Sequence, residues 1–109
     1  MNNIHYTVDP NHWCSFSTIE QMANIGAEVG RYYKWKAKGQ IKIAESCLFR
    51  AIELIDLTKS DKKNQPRLTE LCRVKEFWLD SIVGDNLYNQ TEKQWTNYFD
   101  LFGIYASKL

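Results

Sequence analysis

The chain has 109 residues, of which 44% are hydrophobic and 25% are charged, and its formal net charge is +1. That length suits one globular domain, and the apolar content argues against an intrinsically disordered chain. The nearly balanced charge gives no electrostatic case for wrapping DNA or coating an anionic membrane. The apolar runs are too short to span a bilayer and the polar start lacks the order of a signal peptide, so we expect a cytoplasmic protein.

The first stretch of the chain, residues 1–16, is expected to be a short N-terminal arm that lies on the rest of the protein or on a partner. His5, His12 and Cys14 in this arm could supply part of a zinc site, but three loosely spaced ligands without a CxxC pair are few for zinc. The paired Glu-x-x-His motifs of carboxylate-bridged bundles do not occur in the sequence either. We therefore expect no metal and no cofactor.

The first long helix is expected over about residues 18–38. In "STIE", Ser17 is a suitable N-cap and Glu20 stands at the reciprocal position of a capping box. Gly39, just beyond the last periodic residue, suits a left-handed C-terminal cap.

Two glycines lie one turn apart inside this helix, in "GAEVG". Glycine costs about 1 kcal/mol relative to alanine inside a helix, so Gly26 and Gly30 indicate a close packing contact. We expect them to face Ala44 and Ala51 of the next helix in a tight hairpin. The alternative is a ligand or a second subunit pressed against the same strip.

The second helix is expected over about residues 40–58, and the third begins at Pro66, where the missing amide hydrogen costs little. Between them, "TKSDKKNQ" (58–65) is charged and contains no apolar residue, which predicts an exposed loop. Cys47 and Cys72, on these two helices, are expected to be small core hydrophobes in a reducing compartment.

The connection to the fourth helix, "VGDNLYNQTEKQW", is dense in polar residues. Gly84 is expected to end the third helix in a left-handed turn, and "TEKQ" begins the fourth with a second capping box in which Thr91 is the N-cap and Gln94 its reciprocal partner. Capping leaves three residues of this loop unexplained, and these are candidate binding residues: Asp85, Asn86 and Tyr88.

The four helices together predict an all-α fold. Short connections make sequential helices antiparallel, so we expect an up-down antiparallel four-helix bundle over residues 17–109, with the short arm in front of it. The expected inner faces include Met22, Val29, Ile41, Ala44, Ala51, Ile55, Leu71, Trp95, Phe99 and Tyr105, with Trp78 at an edge.

The third helix carries a polar flank in "RVKEFWLD". Two carboxylates and an arginine there, beside an arginine of the second helix, could hold a substrate, or they could form a solvated ladder of weak ion pairs. Lys75 falls inside the apolar stripe and is expected to reach the edge of the bundle or to meet an acid such as Asp56. The candidate binding residues of this flank are Arg50, Arg73, Glu76 and Asp80.

Three aromatic residues fall outside the inner stripes of their helices: Trp35, Phe49 and Phe77. A helix with a second apolar patch has something else to cover, either the arm or another chain. These residues are therefore candidates for a partner surface.

From about residue 22 to residue 106 the chain resembles a group of small prokaryotic all-helical proteins of no established activity, through "LFRAIELIDLT", "LCRVKEF", "GDNLYNQT" and "WTNYFDLF". In length and helix order it is also similar to HEPN-domain proteins, which implies a helical bundle that is often dimeric and that either accompanies a nucleotidyltransferase or cuts RNA as a toxin. The RNA-cutting members place a histidine four to six intervening residues after an arginine. No histidine follows Arg50 or Arg73 at that spacing, so the general acid/base of that chemistry is missing here.

We therefore expect a non-enzymatic helical interaction module that self-associates or docks on a larger protein. The alternative is a HEPN-like nucleotide- or RNA-binding protein, or a small enzyme, that uses the flank between the second and third helices.

Overall fold

The computed structural model describes residues 8–86 and 89–108, and every regular element within them is helical, which confirms the all-α class. No helix in these ranges combines the length and the apolarity that crossing a membrane requires. The elements are α1 (Pro10–Cys14), α2 (Thr18–Ala37), α3 (Ile41–Ser60), a 3-10 helix (Lys62–Arg67), α4 (Leu68–Val83) and α5 (Glu92–Ala106).

Both predicted capping boxes are confirmed. The Ser17 hydroxyl accepts from the Glu20 amide at 3.1 Å, and the Glu20 carboxylate accepts from the Ser17 amide at 3.0 Å. Thr91 and Gln94 make the same reciprocal pair at the start of α5, at 3.2 and 2.8 Å. Gly39 ends the α2 turn with φ +77°, the left-handed conformation expected of it.

The turn after α4 differs from the prediction. Gly84 has φ −107°, so the left-handed turn expected there is wrong, and Asn86 adopts it instead with φ 51°. The Asn86 side chain closes the loop, since its amide donates to the Gln90 carbonyl at 2.9 Å and its oxygen accepts from the Gln90 amide at 2.8 Å. Gly84 is needed for space, because a Cβ there would run into the carboxylate of Asp80.

Helix α2 packs against α3 and against α5, while α3 also contacts α1, the 3-10 helix and α4. Between α3 and α4, Lys75 Nζ lies 2.7 Å from Asp56 Oδ1, which confirms the predicted partner of that lysine. Sixteen buried apolar side chains from all five α-helices form one core within the described residues.

The glycines of α2 do not have the predicted partner. A Cβ at Gly26 would lie 2.6 Å from Cβ of Phe99 on α5, whereas a Cβ at Gly30 would meet no atom within 4 Å. The close approach is therefore between α2 and α5, and the expectation that these glycines face Ala44 and Ala51 is wrong. Those alanines are buried in the core.

Several predicted inner residues lie outside the core. The buried stripe of α4 is Leu71, Val74 and Trp78, so Cys72 is rotated out of it and is exposed. Cys47 is only half-buried. Ile41 and Tyr105, each in a terminal turn of its helix, are 53% and 58% exposed. Trp78, expected at an edge, is fully buried.

Residues 58–65 are not the exposed loop that their composition predicts. Helix α3 continues to Ser60, the 3-10 helix follows, and Asp61 and Asn64 are buried. Both belong to a buried polar cluster that holds the N-terminal segment onto the bundle, and its members are Trp13, Thr18, Gln21, Thr58, Asp61 and Asn64.

Long-range hydrogen bonds explain that burial. The Gln21 amide donates to the Trp13 carbonyl at 3.0 Å and to Asp61 at 2.9 Å, and the Asn64 amide donates to Gln21 at 2.8 Å. The Trp13 indole donates to the Thr58 hydroxyl at 3.0 Å. The part of the arm that the structure describes thus lies on the bundle as expected, while residues 1–7, including His5, lie outside the described residues.

Candidate functional sites

The buried polar cluster supports the structure and offers no catalytic base. Burial alone would raise the pKa of Asp61, but hydrogen bonds from Lys63 and Gln21 outweigh it and lower that pKa to about 2. Asp61 is therefore ionised at neutral pH, and both of its oxygens are already used as acceptors. The other members of the cluster contribute two side-chain amides, two separate hydroxyl groups and an indole, and none of these groups titrates near neutral pH.

The predicted flank of α4 does not assemble around Arg50. Arg73 and Glu76 are exposed on α4, and Asp80 is half-buried at its C-terminal end. Arg50 turns to the other side of α3, where its Nε lies 3.7 Å from a carboxylate oxygen of Glu28. Of the loop candidates, Asp85 is exposed and Asn86 closes the turn, while Tyr88 lies outside the described residues.

The contact that Arg50 makes belongs to a site that sequence reasoning missed. Glu28 of α2 is buried, with 6% of its side chain exposed, and it faces two arginines that are more than half exposed. Arg31 Nη1 lies 2.5 Å from one carboxylate oxygen, and Arg50 approaches the other. The available signal was that Glu28 is the single acid between residues 21 and 44, in a stretch rich in basic residues.

A shallow cleft of about 400 Å³ opens above this ion pair, between α2 and α3. Its lining includes Ser46 and Cys47 beside the two arginines. Burial raises the pKa of the Cys47 thiol, and the negative charge of Glu28 raises it further against the opposing effect of the arginines. A thiol with a raised pKa is a poor nucleophile at neutral pH, so this shift gives no support to covalent catalysis by Cys47.

The largest exposed apolar surface of α5 lies in its C-terminal half. Leu101, Ile104 and Tyr105 are 56%, 53% and 58% exposed and follow the i, i+3, i+4 spacing of one helix face. Ile104 also borders a groove of about 470 Å³ between α2 and α5. The groove is shallow, and most of its lining consists of small residues, Ala23, Gly26, Ala27, Gly103 and Ser107, together with Phe99 and the exposed Asp100.

The three aromatic residues predicted to form a partner surface are not equivalent. Phe49 is 65% exposed on α3. Trp35 and Phe77 are half-buried and pack against the core. Trp35 is also flanked by two lysines, with Nζ of Lys34 and of Lys38 at 5.7 and 5.2 Å from the centre of its ring.

Metal-binding residues do not cluster in residues 8–86 and 89–108, where no three His, Cys, Asp or Glu side chains come together as a ligand set. His12 packs its ring against Phe16 at 5.1 Å between centroids, and Cys14 is exposed.

Comparison of the chain with models of protein families, with curated proteins and with solved structures finds no match. Two surfaces of the molecule are the remaining candidates for a function: the apolar face of α5 and the cleft beside Glu28, Arg31 and Arg50 between α2 and α3.

Proposed function

We propose that this protein is a cytoplasmic up-down four-helix bundle whose function is to associate with a second copy of itself through the apolar face of α5, without catalysing a reaction. The antiparallel order is supported by residue pairs that join the helices. Glu28 meets Arg50 across α2 and α3, Asp56 meets Lys75 across α3 and α4, and Phe99 of α5 meets the middle of α2. Three cysteines without a disulfide fit a reducing compartment.

The observation that carries the self-association is the exposed triplet Leu101, Ile104 and Tyr105 beside a groove of small residues. A two-fold dimer interface uses the same patch on both copies, so a patch must complement itself. Protruding side chains next to a shallow groove meet that requirement, because the protrusions of each copy can enter the groove of the other.

The size of the patch sets the expected strength. With more than half of each side chain exposed, the triplet presents roughly 300 Å² of apolar surface, from typical side-chain areas. A standard interface needs roughly 800 Å² per partner, so the triplet covers less than half of it and the groove with the surface around it must contribute the rest. Burying the triplet on both copies is worth about 15 kcal/mol at 25 cal/mol/Å². The cost of association is about 4–15 kcal/mol, which leaves a net gain between zero and about 11 kcal/mol. That range includes the roughly 8 kcal/mol of a micromolar dimer, so we expect association of about micromolar strength.

Sedimentation velocity of the whole chain between about 1 and 100 μM tests this, that range being the one in which micromolar association is populated. The average mass of the sedimenting species should rise with concentration from the 12.8 kDa of one chain towards twice that value. Ile104→Lys should restore the monomer, since the ammonium group of a lysine at the centre of the patch would have to lose its hydration on association. Val83→Lys is the matched control, because Val83 is 72% exposed on α4 and is not part of the patch.

The outcomes of this experiment show whether the chain self-associates and which helix forms the interface. A strict monomer at 100 μM, a concentration well above micromolar association, would overturn the self-association. A dimer that Ile104→Lys leaves intact would overturn the assignment to α5, and dissociation by Phe49→Lys in its place would move the interface to α3. A monomer that instead binds a larger host protein through Ile104 would overturn the second copy as occupant.

A further inference from the structure

The charges of this chain are unevenly distributed. Residues 29–44, which cover the second half of α2 and the start of α3, carry five basic residues and no acidic one. The remainder of the chain has nine basic and thirteen acidic residues, a net charge of −4. The overall charge of +1 therefore conceals a local excess of five positive charges. The basic residues of this stretch are Arg31, Lys34, Lys36, Lys38 and Lys42.

Four of these cations and Arg50 form what we name the basic ridge: Arg31, Lys34, Lys38, Lys42 and Arg50, with Trp35 among them. Positions 31, 34 and 35 fall on one face of α2, since residues three and four apart lie on the same side of a helix. Lys38 caps the C-terminus of α2 and lies beside them, with its Nζ 5.2 Å from the centre of the Trp35 ring. This face adjoins α3, because Arg31 and Arg50 bind the same carboxylate of Glu28. Lys42 lies one turn before Ser46, which lines the cleft with both arginines.

The ridge keeps an excess of positive charge despite Glu28. That carboxylate is buried beneath the two arginines, which remain 59% and 51% exposed, and each guanidinium has five N–H donors. Glu28 thus orients the arginines through one or two contacts and leaves their other donors available at the surface. Successive cations of α2 are about 5 Å apart along the helix axis, one turn each.

We infer that the basic ridge binds single-stranded nucleic acid, with the cations on phosphates and the Trp35 ring as a stacking surface for a base. Surfaces that bind single strands combine a positively charged track with aromatic rings beside it. Two lysine ammonium groups, those of Lys34 and Lys38, lie within 6 Å of the centre of the half-buried Trp35 ring, which brings this combination together at the end of α2.

A membrane surface fits the same residues less well. A helix that lies on a membrane needs an apolar face free to enter the lipid. The apolar face of α2 is already buried in the core through Ile25, Val29 and Tyr32. Arg31 and Arg50 of the ridge lie beside Glu28 between α2 and α3, and no ridge residue lines the groove between α2 and α5, so the two proposed surfaces use different residues.

Fluorescence anisotropy with a labelled single-stranded RNA of 12 nucleotides tests the inference on the whole chain. We expect a dissociation constant of about 1–100 μM at low salt, the range of binding without sequence preference. If four cations contact phosphates, affinity should fall about 50-fold between 50 and 200 mM salt, from a slope of about 0.7 per contact.

The test variant is the double substitution Lys34→Glu with Lys38→Glu, both exposed, which spares the arginines that neutralise Glu28. Lys62→Glu with Lys108→Glu is the matched control, because both lysines are exposed and lie elsewhere in the fold. Each pair of substitutions changes the net charge from +1 to −3. The ridge variant should weaken binding by about tenfold or more and flatten the salt slope, since a phosphate contact contributes about one unit of slope or less. The control variant should lose less affinity for RNA and keep a steeper salt dependence than the ridge variant.

Three results would overturn the inference. The first is no RNA binding at 100 μM protein and 50 mM salt, conditions that favour electrostatic binding. The second is an equal loss of RNA affinity in both double variants, and the third is a protein that sediments with phosphatidylserine vesicles but does not bind RNA. Trp35→Leu, with circular dichroism to confirm the fold, isolates the ring. It should weaken binding several-fold with the salt slope unchanged, because stacking releases no counterions.

Discussion

Alanine at Gly26 and alanine at Gly30 should change the stability of this protein in opposite directions. The two positions are one turn apart on the same helix, and the substitution is identical. At Gly30 a Cβ meets no atom within 4 Å, so only the helix propensity changes and alanine should stabilise the fold by up to about 1 kcal/mol. In a domain of this size that corresponds to a rise in Tm of roughly 4–8 °C.

At Gly26 the same gain in propensity is opposed by a clash. The added Cβ would lie 2.6 Å from Cβ of Phe99, an atom attached to the backbone of α5, so the helix itself must move. Overpacking of this kind costs about 1–3 kcal/mol, and more when the backbone has to shift. The net effect of Gly26→Ala should be a loss of up to about 2 kcal/mol, and the two variants should differ by the cost of the clash, about 1–3 kcal/mol, because the gain in propensity is common to both.

Urea unfolding followed by circular dichroism measures both variants against the unchanged chain. The protein concentration should be kept below 1 μM, because Gly26 borders the groove of the proposed dimer and association would add its own stabilisation. If Gly26→Ala stabilises the protein as much as Gly30→Ala, the close approach of α5 to α2 is wrong.

Three further outcomes follow from buried and exposed groups. Stability should fall as the pH drops from about 4 towards 2, because the folded pKa of Asp61 is lowered. The contribution of Asp61 to the free energy of unfolding, on the order of 2 kcal/mol, is complete only above its unfolded pKa and is lost as the pH falls through its folded pKa. In pH-dependent unfolding, Asp61→Asn should therefore flatten the loss of stability at acid pH. Trp13→Phe should cost about 1–3 kcal/mol in thermal unfolding, since it removes the hydrogen bond to Thr58 and part of a buried ring, and a change below 0.5 kcal/mol would contradict the docking of the N-terminal segment. A maleimide should label the exposed Cys72 faster than Cys47, whose burial raises its pKa, and peptide mass spectrometry of a time course would show the order.

Three helix ends, at Ser17, Gly39 and Thr91, could be predicted from the sequence because their causes are local. The capping boxes of Ser17 and Thr91 close through residues three positions away, and Gly39 needs only its own backbone conformation. The spacing that signals them is therefore fully present in the sequence. The ion pair of Asp56 and Lys75 could be predicted for a similar reason, since the two residues lie on consecutive helices joined by a short connection.

Features that depend on distant partners could not be predicted in this way. The polar composition of residues 58–65 indicates solvent exposure, yet Asp61 is buried because Gln21, 40 positions earlier, supplies a hydrogen bond. The periodicity of α2 shows a strip of small residues but not the helix that it faces, and the nearest helix in sequence was the wrong choice for Gly26. Glu28 was missed for the same reason, because its second partner, Arg50, comes from another helix.

Net charge was the least informative quantity for judging the surface. A value of +1 for the whole chain sums cations and anions that lie far apart, whereas a ligand responds to charges within a Debye length, about 8–10 Å at moderate salt. Residues 29–44 carry five basic residues and no acidic one, but the nine basic and thirteen acidic residues of the rest of the chain reduce the total to +1. The two double lysine variants separate these quantities: they share a net charge of −3 and differ only in where the charges were changed. A difference in RNA affinity between them can therefore come only from the local field or local contacts of the ridge.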